Sequence, residues 1–334
     1  MLIFIVFFSS KFFTSTYFVN YYNHILSFLL FFYNIFILTF FIINFKIYVE
    51  RKEDIMFGKR KDGKELKNIS PFFKLIPSIM TERSDAQVFF KEEIMIKGME
   101  EYIEKKLEEG IKISYMDIVF AAVVRTIALR PQLNRFVING RIYARNEIIL
   151  SIAIKKSKSD EGEETTLKIP FKGDESILEV KEKLDAIIKE NKKVENQNDT
   201  DKFANVLSKI PVPIIKLAVK IIKYLDKKGH LPKSIIDLSP FHTSAFITNV
   251  GSIGIDSIYH HLYNFGTTSM FFAMGKKKKS YIFVDDEIRK ERCISFRFVG
   301  DERICDGYYF ASSFKILCKY LNHPELLEEK IELN

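Results

Sequence analysis

The residues best equipped for chemistry gather in the last third of the chain. Asp301-Glu302-Arg303-Ile304-Cys305-Asp306-Gly307 sets two carboxylates, Glu302 and Asp306, four residues apart with a thiol between them. A carboxylate can accept a proton, and a thiol can attack as a nucleophile. Cys305 has no activating pattern beside it and reads as a small core residue. Asp306 before Gly307 also suits a turn. Earlier, His260-His261 offers two imidazoles, but no third ligand at useful spacing accompanies them, so no metal is expected. Thr248 brings a hydroxyl to an apolar, β-branched run, where an ordinary strand threonine is the plain alternative. The run Lys276 to Lys279 suits either the phosphates of a ligand or a solvated loop between strands.

These residues need elements to hold them. Apolar and β-branched runs alternate with Gly-containing turns from 244 to 299, which predicts several strands. Phe310, Phe314, Leu317 and Leu321 then keep helical spacing up to Pro324. Upstream, Val88-Phe89-Phe90 reads as a strand and 97–108 as a helix closed by Gly110. Ser114 and Asp117 form a capping-box start for a helix that Pro131 stops. Asn139-Gly140 is a hairpin turn. Strands are expected at 147–155 and 165–171, and an amphipathic helix at 175–191. Residues 194–202 read as a polar loop. From Pro213 to Gly229, a lysine face opposes Ile214, Leu217 and Ile221, as in a helix lying on a membrane surface or, the reading preferred here, a core helix with one solvated side. Strands and helices mix without regular βαβ alternation, so the class is α+β.

The 334 residues allow one large domain or two modest ones. A hydrophobic fraction of 47% and a charged fraction of 28% exclude disorder and a multispanning membrane protein. The net charge of +8 permits an anionic partner, yet no nucleic-acid motif is present and no nucleic acid is expected. Three cysteines without a paired spacing indicate a reducing cytoplasm.

Residues 1–55 stand apart. No Lys, Arg, Asp or Glu occurs from Phe12 to Phe45. A transmembrane helix is therefore expected at about 25–45. The basic residues after it would put the rest in the cytoplasm, anchored to the inner face of the membrane. The competing expectation is translation from Met56, because 13 of the first 50 residues are Phe, as in translated AT-rich DNA. Residues 56–70 read as a polar arm and 71–330 as the main domain.

Four collinear stretches resemble the catalytic domain of the dihydrolipoamide acyltransferases of 2-oxo acid dehydrogenase complexes. That family shares its fold with chloramphenicol acetyltransferase. The first stretch is Lys74-Leu75-Ile76 through Met80-Thr81-Glu82-Arg83. The second is Gly110 to Ser114 with Asp117 and the Ala-rich helix to Pro131. The third is Phe246-Ile247-Thr248-Asn249-Val250-Gly251 with Gly254-Ile255-Asp256-Ser257. The fourth is Asp301 to Gly307, followed by a helix and Asn322-His323-Pro324-Glu325-Leu326-Leu327. The resemblance implies a chloramphenicol acetyltransferase-like two-layer sandwich, a mixed β-sheet packed with helices. It also implies a homotrimer with its active site between subunits. Coenzyme A or an acyl-coenzyme A would be the substrate.

In the family a histidine removes a thiol or hydroxyl proton, and a Ser or Thr hydroxyl donates to the oxyanion. An Asp four residues after the histidine supports the local structure, commonly through an Arg. The resemblance carries these roles onto Glu302, Thr248 and Asp306, with Arg83 as a substitute partner for Asp306. Glu302 is the departure. Moving a proton from a thiol near ~8.5 to a carboxylate near ~4.3 costs about 5–6 kcal/mol, against about 2.7 kcal/mol for an imidazole near ~6.5. Strong burial of Glu302 would narrow that gap. His260 or His261 offers a replacement base. No lipoyl domain is seen, so a lipoyl group would come in trans, from a lipoyl-bearing protein. The alternative expectation is a catalytically inactive trimeric relative, an acyl-coenzyme A sensor or membrane-tethered scaffold.

Overall fold

The structure is a computed structural model that describes residues 27, 29–37, 39–40, 58–155, 164–191, 210–284 and 286–332. The chain divides into two units, Met1–Gly58 and Lys59–Asn334. In the first unit the described residues between 27 and 40 are helical. Among the described residues, no helix is long and apolar enough to cross a membrane. The expected anchoring span, and placement on a membrane's inner face, are corrected accordingly. The rest of that stretch, Met56 and the loop 194–202 lie outside the described residues.

The second unit runs β1 (Gly63–Glu65), α1 (Pro71–Ile79), β2 (Gln87–Met95), α2 (Lys97–Glu108), α3 (Tyr115–Leu129), β3 (Arg135–Ile138), β4 (Arg141–Arg145), β5 (Ile148–Lys155) and β6 (Glu164–Phe171). It continues with α4 (Ile177–Asn191), α5 (Val212–Lys227), α6 (Lys233–Leu238), β7 (Ala245–Asn249), β8 (Met270–Val284), β9 (Glu287–Asp301) and α7 (Gly307–Asn322). Local chemistry sets many of these bounds. Ser114 and Asp117 close a reciprocal capping box at α3. Asn139 (φ 51°) and Gly140 (φ 74°) adopt the left-handed pair that a tight β3–β4 turn requires.

A small sheet orders β1-β4-β3, and a mixed sheet orders β2-β9-β8-β7-β5-β6. In the larger sheet β7 runs parallel to β5 and β8, and the remaining pairs are antiparallel. This is an α+β fold. Side-chain alternation sends Ile247, Phe272 and Phe298 into the main core with α3 and α7. Burying each such side chain contributes about 1.5–3 kcal/mol. The opposite face carries Phe246, Phe271 and Val299, covered by Leu262 and Tyr263 from the segment before β8.

Two expected elements differ. Lys276 to Lys279 lie within β8, where the β8–β9 pair extends as a ribbon past a register shift between Met274 and Lys277. Helix α5 is not a core helix. It buries Asp226, while Ile214, Leu217, Ile221 and Tyr224 are exposed. A lysine face alone does not tell which of the remaining sectors turns inward.

Candidate functional site

Asp301 ends β9 with its side chain fully buried. Its Oδ1 accepts from Arg303 Nε and its Oδ2 from Arg303 Nη2, both at 2.7 Å, and Oδ2 also accepts from Arg83 Nε at 3.3 Å. Arg83 spends its other donors on the carbonyls of Tyr263 (2.6 Å), Gly266 (3.2 Å) and Val137 (2.9 Å). Arg303 Nη1 donates to Met80 O at 2.9 Å. Burial pushes the Arg83 guanidinium down, Asp301 opposes that, and Arg303 adds to it. One carboxylate thus ties four segments together at the end of the sheet.

Glu302 follows directly. Its N–H donates to Ala86 O at 2.9 Å, and its half-buried side chain makes no hydrogen bond or ion pair among the described residues. It lacks the strong burial that the sequence argument asked for. Asp306 is the N-cap of α7, with its carboxylate accepting from Tyr309 N–H at 2.7 Å. It is exposed, and Arg83 pairs with Asp301 instead of with it. Cys305 is enclosed in the main core, where burial pushes its thiol up and away from nucleophilic use.

Thr248 sits near the end of β7 in the register row Thr248–Ala273–Arg297. It shares strand parity with Phe246, which places it on the sheet face away from the main core. Glu302 lies five residues beyond Arg297, roughly 17 Å at ~3.3 Å per residue. One chain therefore keeps Thr248 and Glu302 apart.

Between them, the segment 256–263 folds over the sheet. His260 stacks on Phe271 at 4.1 Å between ring centroids, and on His261 at 4.6 Å. Tyr259 packs edge-on against Phe89. Arg297 places its guanidinium 4.9 Å from the Tyr259 ring and donates to Ser257 Oγ at 3.3 Å. Ser257 and Ser295 hydroxyls are 2.8 Å apart, and Ser295 donates to Asp256. Lys278 bridges Asp256 (2.9 Å) and Glu93 (3.2 Å). Burial alone would raise the Asp256 carboxyl, but Lys278, Ser295 and the Ser257 N–H hold it well below the usual range. Arg297 and Ser295 were not singled out in the sequence, and Ser257 entered only as the end of a resembling stretch. A signal existed in the alternation of Ile294, Phe296 and Phe298 with Ser295, Arg297 and Val299. Among the described residues, no group of acidic, His or Cys side chains could hold a metal.

No family model matches the sequence, and no curated protein does. Solved structures do. A probable dihydrolipoamide acetyltransferase from Listeria monocytogenes 4b F2365 shares 16% identity at a TM-score of 0.47, covering 81% of this chain and 99% of that one. A chloramphenicol acetyltransferase shares 12% at 0.48, covering 78% and 99%. A truncated catalytic core of the 2-oxoacid dehydrogenase multienzyme complex from Thermoplasma acidophilum shares 15% at 0.48, covering 78% and 99%. The α+β class of this chain stands on its own sheet order.

Proposed function

We propose that the Lys59–Asn334 unit is a coenzyme A-dependent acyltransferase of the kind its motifs resemble. The observation that carries this reading is the clamp at Asp301. Arg83 and Arg303 hold the end of β9 rigidly, Asp306 caps the following helix, and an unpartnered carboxylate, Glu302, is presented between them. Such support is what a group that positions a substrate needs. Thr248 would donate its hydroxyl to the oxyanion. The separation of Thr248 and Glu302 within one chain favours a site completed by a neighbouring copy, in a homotrimer. Of the lysine run, Lys278 is engaged by Asp256 and Glu93, and Lys277 lies over Tyr115. Lys276 and Lys279 remain for the phosphates of coenzyme A. The acyl acceptor would be a lipoyl group on another protein or a small thiol or alcohol.

The replacement of a family imidazole by Glu302 favours one other reading, an inactive trimeric relative that binds acyl-coenzyme A as a sensor or scaffold. Thiol release from acetyl-coenzyme A, followed with several acceptors, separates the two. Turnover supports the transferase, and absence of turnover with tight acyl-coenzyme A binding supports the sensor. Glu302→Gln and Glu302→His then report on the carboxylate, since activity confined to the His variant marks a decayed site. Light scattering that gives a monomer would remove the shared site.

A further inference from the structure

His260 is held as a proton acceptor would be. Its Nδ1 lies 2.8 Å from the carbonyl oxygen of His261. A carbonyl only accepts, so Nδ1 must carry the proton and Nε2 must bear the lone pair. The ring is sandwiched between His261 and Phe271, with interplanar angles of 18° and 9°. That stack fixes the ring plane and supplies no anion to stabilise an imidazolium. Burial lowers the His260 imidazole from its ordinary value; the hydrogen bond to the His261 carbonyl opposes that, and the like charge that His261 would bring adds to it. The titratable groups facing it are His261 and Tyr263, while Phe271 from β8 is apolar.

Its position matters as much as its tautomer. Phe271 belongs to the register row Phe246–Phe271–Val299–Phe89. That row is two residues from Thr248–Ala273–Arg297, roughly 7 Å along the strands. Ala273 presents only a methyl group between Thr248 and Arg297. The segment carrying His260 is pinned there by Arg297 on Ser257 and Tyr259.

We propose that His260 Nε2, not the Glu302 carboxylate, accepts the acceptor's proton during acyl transfer on the half-buried face beside Thr248. This rests on the acyltransferase reading. The acceptor S–H or O–H gives its proton to Nε2 while its sulfur or oxygen bonds to the thioester carbonyl carbon. The carbonyl electron pair moves onto oxygen, which receives the Thr248 hydroxyl hydrogen bond. The pair then returns, the carbon–sulfur bond to coenzyme A breaks, and the departing thiolate takes the proton back from the imidazolium.

The test is a pH profile of kcat/KM for acetyl-coenzyme A turnover. The wild-type chain should rise through an apparent pKa below ~6.5, because the neutral imidazole is the active form. His260→Asn keeps a donor near the His261 carbonyl but has no base. Turnover should fall by about 10²–10⁴-fold, lose the acid limb, and recover in part with added imidazole. KM for acetyl-coenzyme A should stay within a few-fold, and His323→Gln, at an exposed position outside the site, should keep the limb. An active His260→Asn chain with an unchanged limb overturns this inference alone. Loss of activity with a lowered Tm and no imidazole rescue assigns His260 a structural role and also overturns it. A wild-type chain inactive with every acceptor overturns the transferase reading and this inference together.

Discussion

The Asp301 carboxylate lies between two buried guanidiniums, at 2.7 Å from Arg303 and 3.3 Å from Arg83. Neither arginine has another acid within ion-pair distance among the described residues. Removing Asp301 would leave two buried charges without a counter-ion. Asp301→Ala is therefore expected to cost about 3–5 kcal/mol in urea unfolding. Asp306→Ala loses only an exposed N-cap and should cost about 1 kcal/mol. Equal losses would show that the clamp does not centre on Asp301.

Thr248 lies half-buried in a strand whose neighbours are apolar. Thr248→Val keeps shape and β-propensity while deleting the hydroxyl. If that hydroxyl donates to the oxyanion, turnover should drop by about 10²–10³-fold with little change in KM. Stability should shift by no more than ~1 kcal/mol, the span of strand propensities at a half-buried position. Unchanged turnover in steady-state kinetics would return Thr248 to an ordinary strand threonine.

Gly275 marks where β8 meets the segment over the sheet. A Cβ there would come within 2.4 Å of Ser257 N and 2.6 Å of Asp256 Oδ1. Gly275→Ala should cost at least ~1–3 kcal/mol by overpacking and loosen the segment that carries His260. Faster hydrogen exchange at 256–260 is the expected readout. Protection equal to wild type would show that the approach relaxes without consequence.

His242 is fully enclosed, with Nδ1 2.7 Å from Ser239 Oγ and Nε2 3.1 Å from Asp226, which also accepts from Arg60 at 2.8 Å. Burial pushes this imidazole below its ordinary value, although Asp226 pulls it upward. The unfolded chain therefore binds the proton more readily than the folded one. Stability is full above ~6.5 and falls as pH drops through that value toward the folded pKa. The urea midpoint should decline between about pH 8 and about pH 5, and His242→Gln should shrink that decline. A decline of equal size in the variant would assign it to other groups.

Much of the fold was legible because its signals are local. The capping box at Ser114, the turn at Asn139-Gly140 and the helix before Pro131 depend on neighbouring residues and lie where the sequence puts them. The motif from Asp301 to Gly307 pointed to a candidate site through the family pattern it resembles. Partners across the chain were not legible. Asp306 was expected to meet Arg83, yet Asp301 takes that arginine, because packing brings residue 83 to the end of β9. The apolar stripe of α5 was assigned to a core, but periodicity says that a face exists and not which sector turns inward.

By itself, the sequence determined the α+β class and most element bounds. Only the tertiary structure decided which charges pair, that Thr248 and Glu302 lie apart on one chain, and that His260 stacks on Phe271 beside the Thr248 row. The division has a physical reason. Backbone preferences are set by residues a few positions away. Ion pairs, ring stacks and the tautomer of an imidazole are set by strand register between segments far apart in the chain.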